Sequence, residues 1–114
     1  MRKKKFYFVV FEGVEGTGKS YQINKLYKSL KNKKFKIIKT REPGGSNTAE
    51  KIRNLIFSKK ASTFDKLTDY YLMCASRNEH VKKLLLEAKR LKKIVICDRF
   101  IDSTYAYQVI SNKI

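Results

Sequence analysis

The segment Gly13-Val14-Glu15-Gly16-Thr17-Gly18-Lys19-Ser20 constrains this chain more than any other. It fits the pattern G-x-x-x-x-G-K-[ST], and it lies between a β-prone run at 6–11 and a stretch in which Ile23, Leu26, Tyr27 and Leu30 recur at helical spacing. A strand that enters a glycine-rich turn and leaves as a helix makes a phosphate cradle. Glycines let the backbone curl until successive N–H groups point inward, and the positive end of the helix adds to the attraction. Lys19 is then expected to reach the β- and γ-phosphates of a bound ATP, and Ser20 to offer its hydroxyl to Mg²⁺. The competing reading, a glycine-rich turn that a lysine happens to follow, does not account for the strand and helix on either side.

The rest of the chain keeps the same alternation. A helix is expected over 20–31 and a short second strand over 35–40. Pro43-Gly44-Gly45 breaks that strand, and Ala49, Ile52, Leu55 and Ile56 mark a helix with Ser46 or Thr48 as its N-cap. Helical spacing returns in Phe64, Leu67, Tyr70, Tyr71 and Cys74, and a further helix carries Val81, Leu84, Leu85 and Ala88. A third strand is expected over 94–97. Strand, helix, strand, helices, strand predicts an α/β fold of the P-loop NTPase type, three layers α/β/α around a parallel sheet. The run at 6–11 is continuously apolar, which suits a strand buried on both faces.

Composition narrows the class. A hydrophobic fraction of 42% in 114 residues supports a globular core. The formal charge of +17 raises the question of nucleic-acid binding, but the lysines are spread over the polar faces and ends of the expected elements, so a solvated surface is the preferred reading. Cys74 and Cys97 sit in apolar segments without metal-ligand spacing and read as reduced core thiols of a cytoplasmic protein. No segment is long and apolar enough to span a membrane.

Two further motifs belong at the carboxyl edge of the sheet, where ligands of such folds bind. Arg41-Glu42-Pro43-Gly44-Gly45 follows the second strand and Asp98-Arg99-Phe100 the third. Arg41, Arg99 and Arg53 are candidates to converge on a second phosphate, because a planar guanidinium grips phosphate oxygens in pairs as lysine does not. The chain has six arginines against 21 lysines, and three of the six are in or beside these loops. Asp98 has the form of an acid that orients the Mg²⁺ shell; its plainer alternative is a cap for a following helix.

Taken together, Phe11-Glu12-Gly13 through Ser20, Thr40-Arg41-Glu42-Pro43-Gly44-Gly45, Ala75-Ser76-Arg77 and Asp98-Arg99-Phe100-Ile101-Asp102-Ser103 with Ala106-Tyr107-Gln108 resemble bacterial thymidylate kinase over the whole chain. The resemblance implies ATP-dependent phosphorylation of dTMP to dTDP. It implies that Glu15 contacts the deoxyribose 3′-hydroxyl, that Arg41, Arg53 and Arg99 hold the dTMP phosphate, and that Pro43 bounds the pocket. It further implies that Arg77, Thr104 and Gln108 hydrogen-bond the thymine or its surroundings, with Tyr107 against the sugar. Met73 stands where the family typically stacks a Phe on the base, and a thioether can cover a ring by dispersion. Plainer readings remain beside these: core packing for Met73 and Tyr107, and an ion pair with Glu79 or Glu87 for Arg77. His80 reads as a helix-start residue without chemistry.

By the same resemblance, residues 1–114 form the N-terminal portion of a single nucleoside monophosphate kinase domain. Two more strands, the adenine-contacting loop and a lid arginine are expected beyond Ile114, since the P-loop position that carries arginine in some relatives is Gly16. The isolated chain is therefore expected to have little activity and an open edge on its first strand; the family commonly forms homodimers, while the residues themselves do not fix an oligomeric state. Two alternatives stand: another P-loop kinase, such as a deoxynucleoside kinase, and a basic nucleic-acid-binding P-loop module. Lys19→Ala is expected to leave the fold intact and abolish tight ATP binding; unchanged affinity by calorimetry would count against the cradle.

Overall fold

The computed structural model describes residues 5–13, 18–58 and 64–99. Among them, three parallel strands, β1 (Tyr7–Glu12), β2 (Ile37–Glu42) and β3 (Ile94–Arg99), form one sheet in the order β1-β3-β2. Helix α1 (Lys19–Asn32) joins β1 to β2. Helices α2 (Asn47–Phe57), α3 (Lys66–His80) and α4 (Leu86–Arg90) lie between β2 and β3. Side chains alternate along a strand, and Lys39 bonds Asn24 of α1 whereas Thr40 bonds His80 of α3. Those two helices therefore cover opposite faces of β2, which gives the expected three layers.

The strand buried on both faces is β3, not β1. Ile94, Val95, Ile96 and Cys97 are all buried, while Tyr7 and Phe8 are 53% and 42% exposed. The runs 6–11 and 94–97 look alike as apolar segments; what separates them is that, among the described residues, β3 has a hydrogen-bonded neighbour on each side and β1 on one. Both β2 and β3 extend two residues past the expected ends at 40 and 97. The added residues are charged, and they continue the parallel ladder because its register pairs Arg41 with Asp98 and Glu42 with Arg99.

Local capping explains where the helices start. Ser46 accepts a hydrogen bond from the Ala49 N–H at 3.1 Å and caps α2, and Asp65 accepts one from the Leu67 N–H at 3.0 Å and caps α3. Beyond His80 the chain continues through a π-helical turn, Val81–Leu85, into α4. The two helices expected here are thus one uninterrupted rod, and His80 is in its interior rather than at a start.

Ala49 and Ser76 are fully buried where α2 packs on α3, and the Ser76 hydroxyl donates to the Ala49 carbonyl at 3.3 Å. Small side chains let the two backbones approach. The buried line on α3 runs through Ser76 and His80, which turns Cys74 outward; Cys74 is exposed, against the expectation of a core thiol. Cys97 is buried as expected, and burial pushes its thiol up to about 12, with the Glu42 charge adding to the effect. If β3 is the core strand and β1 an edge, Ile96→Ala should cost about 2–5 kcal/mol by urea unfolding, and Tyr7→Ala distinctly less.

Candidate functional site

Strand register builds the site. At the carboxyl edge of the sheet Phe11, Asp98 and Arg41 stand in one row, and Glu12, Arg99 and Glu42 in the next. Because consecutive side chains point to opposite faces, the first row is aimed at α1 and the second at α3.

On the α1 side, Lys19 begins its helix just after Gly18, whose φ of +81° is the left-handed turn that glycine tolerates. The ammonium of Lys19 is buried, donating to the Gly13 carbonyl at 2.9 Å and pairing with Asp98 Oδ1 at 2.7 Å. Two adjoining clefts open beside this pair, of about 290 and 370 Å³, and they share Ser20, Arg41 and Asp98. The smaller is also lined by Lys19, Glu42, Arg53 and Phe57. The structure thus brings Lys19, Ser20, Asp98, Arg41 and Arg53 together.

Arg41 is held in place by Glu50, which belongs to none of the sequence motifs. The Arg41 Nε donates to Glu50 Oε2 at 3.1 Å and a terminal nitrogen donates to Oε1. Glu50 Oε2 also accepts the Gly45 N–H at 2.8 Å. These contacts hold the Glu50 carboxyl at about 2: the Arg41 hydrogen bond lowers it most, burial opposes, and the Gly45 N–H and the Arg41 and Arg53 charges add to the lowering. A Cβ on Gly44 would come within 2.1 Å of Glu50 Oε2, so this glycine makes room for the carboxylate. Arg53 donates to the Pro43 carbonyl at 2.8 Å and lies 4.9 Å from the centre of the Phe57 ring. Pro43 follows a cis peptide bond and is not among the residues that line either cleft.

The α3 side is organised by Glu42, to which the sequence motifs gave no role. Glu42 is buried, with His80 Nδ1 2.9 Å from Oε2 and Arg77 Nε, Arg99 Nε and Arg99 Nη2 each 3.2 Å from Oε1. Burial alone would raise its pKa, but the His80 hydrogen bond and the charges of Arg77 and Arg99 outweigh it and hold the carboxyl at about 2. Arg99 reaches Glu12 as well, at 3.3 Å, and does not line the cleft with Lys19. Arg77 pairs with Glu42 rather than with Glu79 or Glu87, and its side chain stays half-exposed. Met73, one helical turn earlier, is half-buried.

His80 corrects the expectation of a residue without a role. It is fully buried and bonded at both ring nitrogens, Nδ1 to Glu42 and Nε2 to Thr40 Oγ1 at 2.7 Å. The available signal was weak: Thr40 and Glu42 are two apart on a strand and so share a face, but nothing local shows that a histidine 38 residues later meets them.

Val14, Glu15, Gly16 and Thr17, and likewise Thr104, Tyr107 and Gln108, lie outside the described residues. Among the described residues no three His, Cys, Asp or Glu side chains gather as a metal site. No described helix is long and apolar enough to cross a membrane.

Residues 11–114 match the family model for thymidylate kinase. The thymidylate kinase of Bartonella quintana (strain Toulouse) is 42% identical over 108 residues, covering 95% of this chain and 50% of its own length. That of Finegoldia magna is 48% identical over 101 residues, covering 89% and 50%. The crystal structure of thymidylate kinase from Ehrlichia chaffeensis superposes with a TM-score of 0.77 at 42% identity, over 96% of this chain and 62% of that one. The chain spans about half the length of the curated relatives it matches.

Glu42 and Glu50 both have folded pKa values lowered from 4.5 to about 2. Lowered carboxylates contribute stability that is complete above the unfolded value and lost as pH falls through the folded one. Urea midpoints should therefore drop as pH falls from 4.5 to about 2. The gap between the native chain and Glu42→Gln should close over that window; a gap independent of pH would show that Glu42 is not ionised in the fold.

Proposed function

The chain belongs to the thymidylate kinase family, and we propose that it carries the donor cradle and acceptor clamp of an enzyme that moves the γ-phosphoryl group of ATP onto dTMP. In that reaction a dTMP phosphate oxygen bonds to the γ-phosphorus, the bond to the β–γ bridging oxygen breaks, and dTDP and ADP result. The observation that carries the reading is one cleft lined by Lys19, Ser20 and Asp98 from the cradle side and by Arg41 and Arg53 from the other. Two phosphate-binding sets facing one space suit transfer between two nucleotides, and a bare nucleoside acceptor would leave the second set without a partner.

In this reading Lys19, with the Gly13 to Ser20 backbone, binds the ATP phosphates. Arg41 and Arg53 hold the acceptor phosphate, Arg41 already orientated by Glu50. Arg99, whose row faces α3 and which is bonded to Glu42, would join them from the other face of the sheet edge. Pro43 bounds the acceptor pocket; Met73 and Arg77 face the base, and Glu15, Thr104, Tyr107 and Gln108 complete the contacts to sugar and base. Bound Mg²⁺ would offset phosphate charge, and the Ser20 hydroxyl and Asp98 carboxylate are the side chains that would hold it, through water where needed. The chain would form the N-terminal portion of one nucleoside monophosphate kinase domain. A cytoplasmic enzyme and a homodimer of the longer protein belong to the same reading.

Calorimetry tests the acceptor clamp. The chain should bind dTMP more tightly than thymidine, and Arg41→Gln should reduce that preference by about tenfold or more, as expected for losing a charge-assisted pair. Equal affinity for dTMP and thymidine in the native chain would overturn the monophosphate assignment.

A further inference from the structure

We propose that His80 is a positioning residue: through Glu42 it holds the guanidinium groups of Arg77 and Arg99 together in the orientation that meets a nucleoside monophosphate. The ligand in this statement rests on the function proposed above; the coupling of His80 to the two arginines does not.

The geometry begins with the strand period. Thr40 and Glu42 are two apart on β2, so their side chains rise from the same face. The imidazole of His80, descending from the last residue of α3, bridges them with one nitrogen each, at 2.7 Å and 2.9 Å. An ionised carboxylate only accepts hydrogen bonds, so Nδ1 must carry a hydrogen. The Thr40 hydroxyl can donate to Nε2 or accept from it, which leaves the Nδ1–H bond to Glu42 in place for the neutral ring and for the imidazolium alike. The charged groups gathered around the ring are Glu42 itself, Arg77 of α3 and Arg99 of β3.

The ring has little room to move. It is fully buried, and Gly45 lies flat against it: a Cβ there would be 2.2 Å from His80 Cδ2, 2.3 Å from Nε2 and 2.5 Å from Thr40 Oγ1. Gly45 also has φ +106°, so both the space and the backbone require glycine. The loop that carries Pro43 is therefore stacked on the imidazole.

With Oε2 fixed by His80, the plane of the Glu42 carboxylate is set, and Oε1 receives both arginines. Two guanidinium groups converging on one oxygen repel each other, and only an ionised, immobile carboxylate keeps them there. Arg77 is 54% exposed and tethered to Glu42 through Nε, whereas Arg99, 25% exposed, gives Nε and Nη2 to Glu42 and Nη1 to Glu12; a ligand would meet Arg77 at its exposed end and Arg99 as a guanidinium fixed between two carboxylates. If His80 is removed, Glu42 keeps its charge but loses its orientation.

The test uses the full chain in four forms: native, His80→Asn, His80→Leu and Glu42→Gln, each checked for folding by circular dichroism. The first measurement is the Nε–H resonances of the arginines by ¹H–¹⁵N NMR. The native chain and His80→Asn, which keeps a donor on the Nδ1 side, should show the Arg77 and Arg99 signals. His80→Leu should lose both while retaining that of Arg41, whose Nε is bound to Glu50 instead. The second measurement is dTMP affinity, expected to fall about tenfold in His80→Leu and to be largely recovered in His80→Asn. Should His80→Leu fail to fold, Glu42→Gln decides the same question, because it spares the histidine and removes the shared acceptor charge. Persistence of both resonances in whichever of these two variants folds would overturn the proposal, whereas absence of dTMP binding in the native chain would defeat the functional reading and leave the resonances to decide the coupling.

Discussion

A single buried carboxylate ties this structure together. Removing a charge from water costs several kcal/mol, of the order that destabilises a fold unless partners compensate. Glu42 meets that condition with donors from His80 and Arg77 on α3 and from Arg99 on β3, while it belongs itself to β2. Three segments far apart in sequence are thereby fastened at one point, and that point is the carboxyl edge of the sheet.

Parallel strands divide the edge into two layers. The row of Asp98 and Arg41 faces α1, which carries Lys19 and Ser20; the row of Arg99 and Glu42 faces α3, where Arg77 and Met73 lie. In the proposed reading the phosphates would be held mainly on the α1 side, with Lys19, Arg41 and Arg53, and the base on the α3 side. The loop of Pro43, Gly44 and Gly45 spans both layers, because Gly44 admits Glu50 and Gly45 admits His80. Each glycine here clears space for a side chain that orients an arginine.

The use of basic residues follows the same division. Of the six arginines, Arg41 and Arg99 stand at the ends of β2 and β3, Arg53 on α2 and Arg77 on α3 reach the same edge by bonding Pro43 and Glu42, and Arg90 pairs with Glu87 on the surface. A rigid fork of donors fits both a carboxylate that holds it and a phosphate that it holds, which a flexible ammonium does less well. The lysines that make the chain strongly positive are mostly exposed and distributed, apart from the buried Lys19.

Local patterns determined a large part of this protein from sequence alone. The order of strands and helices, the Ser46 cap and the emergence of Arg41 and Asp98 at one edge all depend on residues close together in the chain, whose spacing records their geometry. Tertiary structure decided the rest. Two apolar runs, 6–11 and 94–97, could each have been the central strand, and only pairing on both sides selected β3; an apolar stripe on α3 suggested a buried Cys74, and only packing against α2 turned Ser76 and His80 inward instead. Glu42 and His80 stand 38 residues apart, so neither carries a local sign of the other. A buried charge becomes tolerable only when distant donors arrive together, and that meeting is a property of the folded chain, not of any stretch of its sequence.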